Sequence, residues 1–332
     1  MATAQAFPFP DLFSQKQNQV TPKEALNYAS GLIDRSKYDE AIRYIAKTRL
    51  PPVERAVDWQ LAMQEEFLRL LIYQGHQRKA QTLLPRALAR AKALQNPALT
   101  MKFTYWSGVL AIWENQPAAD QMHQAYKLAT ELGDEPFLVG LALQGLGQVP
   151  ELGSVREVYL EEALSMLQLA GFEKNPQQPF LEAQTLNSLA IYYGLLDDLV
   201  SAKSIFEETI DLAKRIGDVR RLAGTMINYA SLCYLDQKDH EISLVGRGML
   251  QEAVRLSDSI QALEYSMVGH YVLADYYERR GNHKPALTHF RSVYELKKKR
   301  GMLSGEQATT CEEVLGLGKS LMESKGSNET CT

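Results

Sequence analysis

Two stretches of this chain repeat one spacing of small and aromatic residues, and that spacing admits few folds. One stretch reads Leu189-Ala190-x-x-Tyr193, then Ala202-x-x-x-Phe206. The other reads Leu273-Ala274-x-x-Tyr277, then Ala286-x-x-x-Phe290, with identical offsets. Two earlier segments keep the offsets more loosely: Tyr28-Ala29-x-x-Leu32 with Ala41-x-x-x-Ile45, and Phe67-Leu68-x-x-Leu71 with Ala80-x-x-x-Leu84. Residues three and four apart share a helix face. Each stretch therefore reads as two antiparallel helices. A small residue lets the pair touch, an Ala fills the facing position, and the aromatics plug the groove toward the next pair.

The rest of the chain agrees. Apolar residues recur three and four apart, as in Ala202, Ile205, Phe206, Ile210 and Ala213, and most prolines fall between such runs. Alternating β-branched runs bounded by Asn-Gly or Asp-Gly turns are missing, so no segment is a strand candidate. Equivalent positions at Ala29, Leu68, Gly108, Gly145, Ala190, Ser231 and Ala274 mark seven first helices. Three second helices end in a shared punctuation, Leu132-Gly133-Asp134, Ile216-Gly217-Asp218 and Leu256-Ser257-Asp258. Gly suits the residue after a helix, and Asp can cap the next one.

This pattern resembles the tetratricopeptide repeat family, W-x2-L-G-x2-Y, then A-x3-F, then P. The early Trp and terminal Pro are missing here, and the repeat runs about 40 residues rather than 34. Long repeats of this kind are similar to those of bacterial signalling regulators, including peptide-sensing regulators and the sensory regions of LuxR-type activators. The resemblance implies an all-α, right-handed α-solenoid of about seven antiparallel helix pairs with a C-terminal capping helix. The expected boundaries are an irregular arm at 1–20, the repeat array at 21–302, a capping helix at 303–325 and a disordered tail at 326–332.

Other chemistry is sparse. A formal net charge of −4 supplies no field to draw nucleic acid or anionic lipid. Cys233, Cys311 and Cys331 lack CxxC spacing, which argues for a reducing compartment and against a disulfide frame or thiolate zinc site. The N-terminal residues lack a basic start and an apolar core, and no run is apolar enough to span a membrane, so the cytoplasm is the expected location. Gly316-Leu317-Gly318-Lys319-Ser320 evokes a phosphate loop, but position 313 is Glu313 rather than Gly. The six histidines form no HExxH, and no G-x-S-x-G elbow occurs. Cys233 reads as a packed thiol, and Lys297-Lys298-Lys299-Arg300 as a basic helix end facing the macrodipole. Trp106 and Trp113, seven apart, form a core stripe or, with Tyr105, a ligand anchor. The expectation is no catalytic residue, no metal, no cofactor and no enzyme.

First helices of a solenoid line its concave face, so equivalent positions on them form a continuous groove. Asn187 and Asn228 stand three residues before Ala190 and Ser231, and Tyr271 stands three before Ala274. Gln184 lies one turn before Asn187, and Arg220 and Arg221 lie two turns before Asn228. A carboxamide can donate to a peptide carbonyl and accept from its N–H, which also fits the likeness to peptide-sensing regulators. These six residues are the candidate site for a protein or peptide partner, with no membrane and no direct nucleic-acid role, and with homo-oligomerisation left open. The expected function is a non-catalytic scaffold whose groove takes a peptide or partner helix. The alternative is the sensory component of a bacterial transcription or signalling system, with the effector supplied by a partner.

Overall fold

The computed structural model describes residues 22–47, 56–233 and 240–299. Among them there is no strand, and the α-helices form seven consecutive pairs. The first four are α1 (Pro22–Asp34) with α2 (Tyr38–Lys47), α3 (Ala56–Tyr73) with α4 (Gln77–Ala93), α5 (Pro97–Trp113) with α6 (Ala119–Glu131), and α7 (Pro136–Gly147) with α8 (Val155–Ala170). The last three are α9 (Gln178–Leu195) with α10 (Leu199–Ile216), α11 (Val219–Cys233) with α12 (His240–Ser259), and α13 (Leu263–Arg279) with α14 (His283–Lys299). A short 3-10 turn, Pro150–Leu152, joins α7 to α8. The expected arm at 1–20 and capping helix at 303–325 lie outside the described residues, as does Arg300 of the basic run. Among the described residues, no helix is long and apolar enough to cross a membrane.

All seven marker residues fall on the first helices of their pairs. Ala29, Leu68, Ala190 and Ala274 are fully buried. A Cβ added to Gly145 would stand 2.7 Å from Met122 Sδ and 2.9 Å from the Tyr105 ring, so only a hydrogen fits between these helices. Helix ends follow the punctuation too. Gly217 adopts φ 73°, ψ 24°, a left-handed conformation that closes α10, and its N–H bonds back to the Ala213 and Lys214 carbonyls. Asp218 then caps α11, its Oδ1 accepting the Arg221 N–H at 2.8 Å. The other two punctuation aspartates do not cap. The chain after Gly133 runs one residue further, so Glu135 precedes α7 without a side-chain cap, and Asp258 takes the Ser266 hydroxyl at 2.5 Å instead.

The chain divides into two compact units, Met1–Leu222 and Ala223–Thr332. In the first, α1, α3, α5, α7 and α9 each pack on the next in that series as well as on their own partners. That succession of first helices is the solenoid layer, and the second helices form its outer layer. Its core runs without a break from Leu61 on α3 to Leu181 on α9. In the second unit, Ile227, Ala230, Leu250, Ala253, Val254 and Leu273 join α11, α12 and α13.

Candidate functional site

The first unit curls far enough for its ends to meet. Gln177, just before α9, donates its amide to Ser30 Oγ on α1, and the Arg220 backbone N–H reaches Ser36 Oγ at 3.0 Å. The five first helices of this unit, with the residues entering α9 and α11, therefore line one space. A cavity of about 60 Å³ is walled by Ile33 and Asp34 from α1, Glu65, Arg69 and Tyr73 from α3, and Lys102, Tyr105 and Trp106 from α5. Phe137 and Leu141 come from α7, Phe180, Leu181 and Gln184 from α9, and Arg220 and Arg221 from α11. Asp218 and Gln177 complete it. A second cavity of about 250 Å³ shares Asp34, Lys102, Phe137, Gln177 and Phe180 with the first.

Charge is concentrated here to an unusual degree. Asp34, Glu65, Glu66, Arg69, Asp218, Arg220 and Arg221 are each only 2–7% exposed, a burial that charged residues rarely show unless partnered. Arg69 is the hub. Its Nε and Nη2 donate to Glu66 Oε2 at 3.0 and 2.6 Å, and Nη2 donates to Ser30 Oγ at 2.7 Å and the Ser30 carbonyl at 3.2 Å. Its Nη1 pairs with Asp34. Glu65 accepts the Trp106 indole N–H at 2.8 Å and pairs with Lys102 at 3.4 Å. The Arg220 guanidinium lies over the Tyr73 ring, 4.2 Å from its centroid.

The carboxyl groups divide by how well they are compensated. Burial pushes Asp34 up to about 7, although Arg69 pulls the other way. Burial likewise raises Glu66 and Asp218. Burial also works to raise Glu65, but Lys102, Arg69 and the Trp106 hydrogen bond outweigh it and hold its carboxyl low. A carboxyl raised on folding binds its proton more tightly in the native state. Its stabilising contribution is complete below the unfolded pKa and is lost as pH rises through the folded one. The first unit should therefore lose stability between about pH 4 and 7 through Asp34, with Glu66 and Asp218 adding in the same sense. Asp34→Asn removes the main titration while keeping an acceptor for Arg69. Urea unfolding across this range should show the variant gaining on the parent as pH rises, and a constant difference would refute the assignment.

Against known proteins, no family model matches the chain, and no curated protein does. Solved structures do match. A Rap protein complexed with Competence and Sporulation Factor superposes with a TM-score of 0.64 over 88% of this chain and 80% of that one, at 16% identity. The fold is a tetratricopeptide-type helical repeat. More distant are the STAND protein with a tetratricopeptide repeat sensor from Pyrococcus horikoshii and aspartyl phosphate phosphatase F from Bacillus subtilis. The first has a TM-score of 0.44 and 17% identity over 87% of this chain, which spans 44% of that protein. The second has a TM-score of 0.43 and 14% identity, covering 92% of this chain and 96% of that one.

Of the six expected site residues, the tetratricopeptide-type layer brings Gln184, Arg220 and Arg221 into the cavity wall. Asn187 is buried on α9 and does not line it. Asn228, half-buried, and Tyr271, 57% exposed and edge-on to Phe290, belong to the second unit. Asp34, Glu65, Glu66, Arg69 and Lys102 were not expected. Two of them were within reach of the same rule: Glu65 stands three before Leu68, as Asn187 stands before Ala190, and Lys102 stands six before Gly108, as Gln184 stands before Ala190. Trp106 and Tyr105 are both core and cavity wall. In the second unit, His270 and His289 face each other, Nδ1 to Nδ1, at 2.9 Å, with His289 stacked on Tyr277. Among the described residues, no three His, Cys, Asp or Glu side chains are grouped to hold a metal ion.

Proposed function

We propose that this chain is a non-catalytic binding scaffold whose inner face, in the first unit, takes a short extended peptide. The observation that carries the reading is the lining itself: the five first helices of the unit and the first turn of α11 all contribute to one polar, aromatic and charged space. Apolar Ile33, Phe137, Leu141, Phe180 and Leu181 stand beside Gln184 and the charged groups. Such a mixture suits a strand-like segment whose successive side chains point to opposite sides. The Rap neighbour was solved in complex with Competence and Sporulation Factor, which supports ligand binding as a use of this fold.

We keep Asn187 as a further candidate contact in this unit, and Asn228 and Tyr271 as separate candidate contacts on the second. A buried free thiol at Cys233 fits the cytoplasmic setting. In the sensory version of this reading, a peptide that parts the Ser30–Gln177 and Ser36–Arg220 contacts would loosen the curl, and a separate effector would respond. Pooled acetylated pentapeptides, read by Trp106 fluorescence after Trp59→Phe and Trp113→Phe, provide the test. Gln184→Ala should weaken binding roughly two- to tenfold, the effect of one net hydrogen bond. Unchanged affinity in a variant of unchanged circular dichroism would move the site elsewhere.

A further inference from the structure

The cations around the cavity are not equally committed. Arg69 holds Glu66, Asp34 and Ser30, Lys102 holds Glu65, and Arg220 lies over Tyr73. Arg221 differs. It is 6% exposed and lines the cavity, its Nε like that of Arg220 has no hydrogen-bond partner, and, with no aromatic ring such as Tyr73 beneath it, it forms no ion pair among the described residues. Asp218, its nearest acid in sequence, takes the Arg221 backbone N–H rather than its side chain. A guanidinium stays protonated in any protein interior, and although Asp218 offsets its charge through space, the Asp218 carboxylate bonds the backbone and leaves the side-chain donors of Arg221 without an ion pair. Its planar fork of donors matches a carboxylate.

We infer that Arg221 is the anchor for a carboxylate carried by the bound peptide, from either its C-terminus or an Asp or Glu side chain. The inference rests on the peptide reading above and adds the ligand's chemical class. Arg221 is placed for this by α11: Gly217 turns the chain and Asp218 caps the first turn, which sets Arg221 in the cavity wall.

Two probes separate this inference from the reading beneath it. The first is glutarate, compared with sodium chloride at equal ionic strength by thermal melting. Glutarate should raise the melting temperature of the parent and leave Arg221→Gln unmoved, with Arg221→Lys between. The second is the pentapeptide set synthesised with and without Asp and Glu, each as free acid and as C-terminal amide. Carboxylate-bearing pools should bind the parent more tightly, and Arg221→Gln should cost them roughly 10- to 100-fold while sparing the neutral pools. The free-acid and amide arms say which carboxylate is read. If glutarate protects the parent but no pool binds, the anion anchor stands and the peptide reading falls. If pools bind without preference for a carboxylate, the peptide reading stands and the anchor falls. Unliganded Arg221→Gln should melt no lower than the parent, and a marked drop would make Arg221 structural and overturn the anchor.

Discussion

Arg69→Met should destabilise the first unit by roughly 3–5 kcal/mol at neutral pH, the cost of leaving buried charge uncompensated. The Arg69 guanidinium bonds Asp34 and Glu66, both nearly inaccessible to water, and reaches Ser30. Methionine replaces the aliphatic stem but none of the donors, so two carboxylates and a backbone carbonyl lose their partner together. Their escape is to take up protons, toward which burial already pushes both groups. The loss should therefore shrink as pH falls toward 5 and the carboxyls neutralise. Urea unfolding followed by Trp106 fluorescence reports on this unit, which matters because a chain of two compact units need not unfold in one step. A triple change, Asp34→Asn, Glu66→Gln and Arg69→Met, removes the charges as a set and should recover much of the stability, as neutral replacements of buried ion clusters often do. A single-variant loss below about 1 kcal/mol at pH 7.5 would place the cluster in water, where such pairs count for little.

The same cluster shows where sequence reasoning reaches and where it stops. Helix pairing is local information. A small residue at a fixed offset from an aromatic says where two helices touch, and burial of Ala29, Ala190 and Ala274 follows from that. Even Leu68, the large exception, is fully buried, because the position and not the size is conserved by the geometry of the pair. The same logic selected Gln184, Arg220 and Arg221, which line the cavity, together with Asn187, Asn228 and Tyr271, which do not. Asp34, Glu66 and Arg69 lay beyond it. Within a helix, Glu66 and Arg69 three apart look like an ordinary solvated ion pair. They are dry because the array curls until α1 meets the starts of α9 and α11, through contacts 147 and 184 residues apart in the chain. No spacing rule within a repeat carries that curvature, which accumulates from small rotations at every interface. His270 and His289 are a milder case: their neighbourhood needs only the α13–α14 pair, but nothing in either helix alone signals it.

Two glycine substitutions should move stability in opposite directions, because one glycine is a spacer and the other is not. A Cβ at Gly147 would stand 2.4 Å from both Cγ and Cδ2 of Leu160 and 3.3 Å from the Arg156 carbonyl oxygen. Leu160 is itself fully buried, so it has no free volume into which to turn. The α7–α8 contact must then open, and overpacking of this kind costs roughly 1–3 kcal/mol and occasionally more. Gly147→Val, with two further methyls directed at the same wall, should lie at or beyond about 3 kcal/mol. Gly248 sits inside α12 with no atom within 4 Å of the added Cβ and no left-handed backbone to accommodate. There the intrinsic cost of helical glycine is the only effect, and Gly248→Ala should stabilise by roughly 0.5–1 kcal/mol. The contrast is the test. Propensity alone predicts a gain for an alanine at both sites, whereas close packing predicts a loss at 147 that outweighs any gain. Chemical denaturation of Gly147→Ala, Gly147→Val and Gly248→Ala in parallel decides between them. A Gly147→Ala protein as stable as Gly248→Ala would mean that α7 and α8 do not approach as closely as the repeat requires.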